Sequence, residues 1–174
     1  MSVFEYNFEQ YKSLSPDLYR KEKYNLQVEL LKLQEDVIKK KRKIAICFEG
    51  RDTAGKSSTI NFFSEHLIPS NFNYVHLGIP TKKERKNWFE RYETYLPNKG
   101  QIVLFDRSWY TRALTEPTLG YCSKIQYEEF MTKVNKWEKS LVKKGTELVK
   151  FYFSIDKDQQ KRRINARKNS KLKY

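Results

Sequence analysis

Eight consecutive residues concentrate the chemistry of this chain. Gly50-Arg51-Asp52-Thr53-Ala54-Gly55-Lys56-Ser57 satisfies G-x-x-x-x-G-K-[ST], the spacing of a phosphate-binding loop. Gly50 and Gly55 permit positive φ and let backbone N–H groups curl around an anion. A helix opening after the loop aims its free N–H groups and positive dipole end at the same anion. Lys56 supplies a mobile positive charge for phosphate oxygens, and the Ser57 hydroxyl can ligate Mg²⁺. Arg51, Thr53, Ala54 and Ser58 complete the candidate phosphate or nucleotide cradle. A loop of this kind points to a nucleotide or another phosphate chain as ligand.

Further along, Ile102-Val103-Leu104-Phe105 ends in Asp106-Arg107. Phosphate-loop enzymes place a metal-organising carboxylate at such a strand tip, the edge where open α/β sheets bind ligands. Asp52, inside the loop, is less usual. A carboxylate beside phosphates is repelled unless it holds a metal or orients the attacking group, and a cap on the loop backbone is the plainer alternative. Asp52, Ser57 and Asp106 are thus the candidate metal set, with Asp52, Lys56, Asp106 and Arg107 the candidate catalytic groups. A third element is the run Lys161–Lys168, in which Arg163 and Arg167 share a helix face with Arg162 beside them; Lys171 extends the face if the helix continues. Guanidinium groups on such a helix can close over phosphates as a lid; the rival readings are a nucleic-acid-binding tail or a solvated face. Lys82, Lys83, Arg85 and Lys86, with Arg91 a turn beyond, form another basic surface. The interleaved Trp88, Phe89, Tyr92 and Tyr95 read as core, and His66 and His76 have no partner the sequence can name.

The elements that position these groups alternate strand and helix. Ser15-Pro16-Asp17 starts a helix running to about Lys41, with Leu26, Leu30, Leu33 and Val37 at helical spacing. Strands are expected at Ile44–Glu49, Asn73–Leu77, Gln101–Asp106 and Leu148–Ile155. Helices are expected from the loop to about Leu67, over Lys82–Leu96, over Lys124–Lys144 and over Asp156–Asn169. The pattern predicts an α/β fold, a parallel sheet with helices on both faces. Residues 1–42 read as an N-terminal helical extension and 43–174 as the core, with a lid at about 156–174.

The 174 residues carry 35 Lys and Arg against 21 Asp and Glu, a net charge of +14, which favours polyanionic partners. Aromatic residues at 15% argue against disorder. The two cysteines, Cys47 in a strand and Cys122 in a loop, suggest neither a disulfide framework nor structural zinc. Without a signal-like start or an apolar run of membrane-spanning length, the expectation is a cytoplasmic protein with no membrane partner.

Taken together, these residues resemble the polyphosphate kinase 2 family. Four segments match in order: FEGRDTAGKSSTI, PTKKERKNWFERYETYLPNKGQIVLFDRSWYTRA, EPTLGYC and QQKRRINARKNSKLKY. The resemblance implies a phosphate-loop kinase fold and Mg²⁺-dependent phosphoryl transfer between inorganic polyphosphate and a nucleotide such as ADP. It implies Asp52 and Asp106 as metal- and acceptor-organising acids, Lys56 and Arg107 on the phosphates, and Arg112, Arg163 and Arg167 in the phosphate path or lid. It also implies a homo-oligomer. Thr111 departs from the asparagine usual in the family, and the family continues beyond the lid with a further strand, so the sequence reads as a piece of a larger kinase domain. The readings that compete are an ATP-dependent, thymidylate-kinase-like enzyme and a basic nucleic-acid-binding protein with a vestigial loop.

Overall fold

A computed structural model describes residues 14–170. Helix α1 (Pro16–Lys39) starts at Ser15, whose hydroxyl accepts the Leu18 N–H. Strand β1 (Lys43–Gly50) leads through the loop into α2 (Lys56–Ser64) and then β2 (Phe72–Val75). Two short helices, α3 (Lys82–Lys86) and α4 (Glu90–Glu93), precede β3 (Gln101–Asp106). The short α5 (Thr111–Leu114) and α6 (Glu116–Leu119) follow, then α7 (Lys124–Lys143), β4 (Thr146–Phe153) and α8 (Lys157–Lys168).

The four strands form one sheet in the order β2-β3-β1-β4, and every pairing is parallel. The α/β expectation therefore holds. Strand β1 lies between two neighbours and is buried on both faces, which is why Ile44-Ala45-Ile46-Cys47-Phe48 is an unbroken apolar run. Alternation sends its side chains to two separate cores. Ala45 and Cys47 join Val103, Phe105, Trp88, Tyr92, Trp109 and the α7 residues Phe130 and Val134. Ile44, Ile46 and Phe48 join Ile102, Leu104, Val37 of α1 and Ile60 of α2. Edge strand β4 is half covered, with Val149, Phe151 and Tyr152 exposed. The chain leaves β1 toward one side of the sheet and leaves β3 for the other. The loops after β1 and β3 therefore meet at the switch point where such sheets bind ligands.

Several boundaries differ from the sequence reading. The expected helix Lys82–Leu96 is broken: α3 stops at Asn87, and α4 is a separate turn. Across the break Trp88, Arg91 and Tyr92 are all buried, with Trp88 Nε1 donating to the Trp109 carbonyl at 2.9 Å and Tyr92 OH to the Ser108 carbonyl at 3.0 Å. Helix α2 ends at Ser64 rather than near Leu67. Strand β2 starts at Phe72 and ends at Val75, and β4 spans Thr146–Phe153. In α1 the expected apolar stripe is rotated. Leu26 is exposed, while Gln27, Gln34 and Val37 are buried. Gln34 is a bracket, accepting from Ile68 N at 2.7 Å and donating to Ile68 O at 3.0 Å. Among the described residues no helix is long and apolar enough to cross a membrane, and both cysteines are free.

Candidate phosphate-transfer site

The loop after β1 has the backbone its glycines allow. Gly50, Thr53 and Gly55 all adopt positive φ, at 138°, 62° and 109°. Gly55 is the N-cap of α2 and supplies no side-chain cap, so the first N–H groups of that helix remain available to an anion. Lys56 is buried, and its Nζ donates to the carbonyls of Gly50 at 3.0 Å and Arg51 at 2.9 Å. Burial, and then the charge of Arg107, hold its pKa below the usual lysine range. Thr53 Oγ1 is a buried hydroxyl without a hydrogen-bond partner, as expected of a cradle built for a polar ligand.

The tip of β3 closes on this loop. Ser57 Oγ donates to Asp106 Oδ2 at 2.7 Å, which leaves the serine oxygen's lone pairs unspent. Tyr74 OH donates to the same carboxylate oxygen at 3.0 Å, and His76 Nδ1 lies 3.3 Å from the Asp106 carbonyl. Arg107 takes φ 66°, its N–H donates to the Phe48 carbonyl at 3.1 Å, and its guanidinium donates to Thr115 Oγ1 at 3.0 Å. Glu49, the last side chain of β1 before the loop, is buried and fixes the turn from below. Its Oε1 accepts from Ser108 N at 2.5 Å and from Ser108 Oγ at 2.7 Å. Burial raises the pKa of Glu49, outweighing the two hydrogen bonds from Ser108.

Helix α8 stands over the loop. Asp156 caps it by accepting the Gln159 N–H at 2.7 Å. Gln160 Nε2 donates to the Asp52 carbonyl at 3.1 Å and Arg163 Nη1 to the Thr53 carbonyl at 3.0 Å. Arg167 lies 3.8 Å from the exposed Asp52 carboxylate. Between loop and helix lies a cavity of about 690 Å³, whose walls include Asp52, Lys56, Ser57, Arg163 and Arg167. The described residues hold no group of three His, Cys, Asp or Glu able to bind a metal by themselves. A cation at Ser57 and Asp106 would meet hard oxygen donors and complete its shell from phosphate and water, the manner of Mg²⁺.

The other sequence-derived candidates are scattered. Lys82 and Lys83 are exposed on α3, and Arg162 is exposed on α8, while Lys171 lies outside the described residues. Arg85 is tied down, donating to the carbonyls of Tyr121 at 2.8 Å and Pro80 at 3.3 Å. Arg91, read as part of a basic surface, is buried and donates to the Gly78 carbonyl. Arg112 is 1% exposed, stacked 4.0 Å over the Trp88 ring, with its Nε 3.2 Å from Glu116. Sequence reasoning missed Glu49, Tyr74 and the pair Glu138–Lys150. Glu138 accepts from Trp109 Nε1 at 2.9 Å and Lys150 Nζ at 2.8 Å, while Lys150 also donates to Tyr110 OH at 3.1 Å. Together they brace the turn after Asp106.

A family model, Polyphosphate kinase 2, matches residues 13–174. The chain belongs to the polyphosphate kinase 2 family. A GDP-polyphosphate phosphotransferase of Pseudomonas aeruginosa is 43% identical over 157 residues, covering 90% of this chain and 44% of the relative. An ADP-polyphosphate phosphotransferase of the same organism is 43% identical over 161 residues, covering 92% and 53%. A crystal structure described as a polyphosphate kinase 2 of Pseudomonas aeruginosa superposes with a TM-score of 0.84 at 31% identity, covering 91% of this chain and 35% of that one. The chain spans about half the length of the curated polyphosphate kinase 2 relatives it matches. Neither rival, the thymidylate-like kinase nor the nucleic-acid-binding protein, is favoured by these relatives.

Proposed function

We propose that this chain carries the phosphate-loop part of a phosphotransferase that moves phosphoryl groups between inorganic polyphosphate and a nucleoside diphosphate or monophosphate. The observation that carries the reading is a single cavity with the loop on one side and the arginines of α8 on the other. The relatives' names supply polyphosphate and nucleotide as the substrate classes. Backbone N–H groups of residues 53–58 bind phosphate oxygens, and Lys56 exchanges its carbonyl contacts for them. Arg163 and Arg167 close over the transferring group, while Glu49, through Ser108, fixes the turn that carries Arg107. Asp52 orients the acceptor from the loop. Ser57 and Asp106 would hold Mg²⁺, which neutralises developing charge on phosphate oxygens. Catalysis of this kind is mostly positioning and electrostatics.

The reading includes residues 1–42 as a helical extension on a core of 43–174, with α8 as the lid. It also includes a homo-oligomer joined through the exposed side of α1, where Tyr19, Tyr24 and Leu26 lie open, and a cytoplasmic setting. The test is turnover of polyphosphate with AMP, ADP and GDP in the presence of Mg²⁺. Lys56→Ala and Asp106→Asn are each expected to lower turnover by about 10²–10³ with unchanged circular dichroism. Wild-type rates in either variant would overturn the site assignment.

A further inference from the structure

Tyr74 has no place in the phosphate-loop motif, yet its position in the sheet aims it at Asp106. Strands β2 and β3 are parallel, and Tyr74 is the register partner of Leu104. Tyr74 and Leu104 therefore share a sheet face, and Asp106 is the next β3 side chain on that face. Side chains in strands lean along the strand. A tyrosine leaning toward the C-terminal edge reaches one step beyond its partner, and Tyr74 OH donates to Asp106 Oδ2 at 3.0 Å.

The second donor to that oxygen is Ser57 Oγ at 2.7 Å, delivered by α2. Two donors from different elements meet on Oδ2, and neither occupies Oδ1. The Tyr74 ring is 50% exposed and belongs to neither core, so packing does not account for the hydroxyl's placement. His76, just past the end of β2, has its Nδ1 3.3 Å from the Asp106 main-chain carbonyl and 4.0 Å from Oδ2. It lies beyond hydrogen-bond reach of the carboxylate.

We infer that Tyr74 is a positioning residue whose hydroxyl holds the Asp106 carboxylate in the orientation that keeps Oδ1 free for a divalent cation. The inference rests on the metal-dependent reading of Ser57 and Asp106 given above. Tyr74 acts through Asp106, so its loss weakens cation binding without removing a ligand. Outer-shell partners of metal ligands commonly contribute about 10–100-fold in affinity. With the ring half in solvent, about 3–10-fold is expected.

The experiment is Mn²⁺ binding in the presence of ADP, followed by water-proton relaxation at low temperature, on the wild-type chain, Tyr74→Phe, Tyr95→Phe and Asp106→Asn. Tyr95 is the control. It lines the same cavity of about 470 Å³ as Tyr74 but makes no described hydrogen bond to Asp106. Tyr74→Phe is expected to weaken Mn²⁺ binding about 3–10-fold with an unchanged melting midpoint and unchanged affinity for metal-free ADP. Tyr95→Phe is expected to match wild type, and Asp106→Asn to weaken Mn²⁺ binding most. Wild-type Mn²⁺ affinity in Tyr74→Phe, or an equal loss in Tyr95→Phe, overturns the positioning role while Asp106→Asn still reports a metal site. Wild-type affinity in Asp106→Asn instead overturns the metal reading itself.

Discussion

Glu49 offers a quantitative test of how the loop and the β3 turn are joined. Replacing it with alanine removes two hydrogen bonds to a carboxylate and leaves the buried Ser108 N–H without an acceptor. Hydrogen bonds to charged groups contribute about 1.5–3 kcal/mol each, and an orphaned buried donor costs about 1–3 kcal/mol. Relief from burying the carboxylate offsets part of this, so about 3 kcal/mol is the expected loss. In a domain of this size that lowers the melting midpoint by roughly 6–12 °C. Glu49→Gln keeps the accepting oxygen and should cost only about 1 kcal/mol at neutral pH. The pH dependence is the sharper measurement. Burial raises the Glu49 pKa above its ordinary 4.5, so in the window above 4.5 the folded chain binds more protons than the unfolded chain. The contribution of Glu49 is therefore fully present below 4.5 and is lost as pH rises through the folded pKa. Every tenfold gain in proton affinity on folding corresponds to about 1.4 kcal/mol. Urea unfolding of wild type and Glu49→Gln from about pH 4.5 to 8 isolates this group, because all others cancel in the difference. The wild type should gain on the glutamine variant as pH falls. Parallel curves, or a gain for Glu49→Gln on acidification, would refute the reasoning.

Gly50→Ala should be more damaging than Gly55→Ala. A Cβ at Gly50 would lie 2.4 Å from the Phe153 carbonyl, whereas one at Gly55 meets nothing within 4 Å and pays only for its φ of +109°. About 1–3 kcal/mol is expected for the backbone at Gly55 and more at Gly50, read by urea unfolding, and the reverse ranking would contradict the packing of the loop on β4. Arg163→Ala combined with Arg167→Ala should weaken polyphosphate binding about tenfold and flatten its salt dependence by roughly two charges. ADP affinity should change less. Loss of ADP binding with polyphosphate affinity retained would mean that α8 serves the nucleotide.

Most of the scaffold was readable because its signals are local. The apolar runs at Ile44–Phe48 and Ile102–Phe105 are central parallel strands, and the loop between Gly50 and Ser57 has the backbone its spacing requires. Asp106 and Ser57 were legible as partners because a motif and a strand tip must converge in this topology, and they do at 2.7 Å. What stayed hidden depends on tertiary contact. Arg91 read as part of a basic surface and Arg112 as part of the phosphate path or lid, yet both are buried: Arg91 against Glu84 and the Gly78 carbonyl, and Arg112 against Glu116 and the Arg85 carbonyl. The break at Asn87 interrupts a run whose helical spacing gave no sign of it. Glu138 did leave a trace: it occupies the buried stripe of α7 with Phe130, Val134 and Leu141, where a carboxylate needs a partner. Glu49, equally missed, left the same kind of trace as an acid ending a buried strand. Tyr74 left no trace, since only the β2–β3 register brings it to Asp106.

All three tryptophans stand on one side of the sheet. Trp109 and Trp137 are in edge contact at 4.9 Å, and Trp88 donates to the main chain of Trp109. The core beneath α1 and α2 contains none. Tryptophan emission, excited selectively, therefore watches only the α7 side of this molecule. A ligand entering beneath α8 can alter emission only by displacing the short turn from Asp106 to Trp109, so a spectral change would time that displacement and not the arrival of the ligand. Movement of α8 itself would be optically silent. An indole introduced at Ala166, on the wall of the loop cavity, would give that helix its own signal and separate the two events in a single stopped-flow trace.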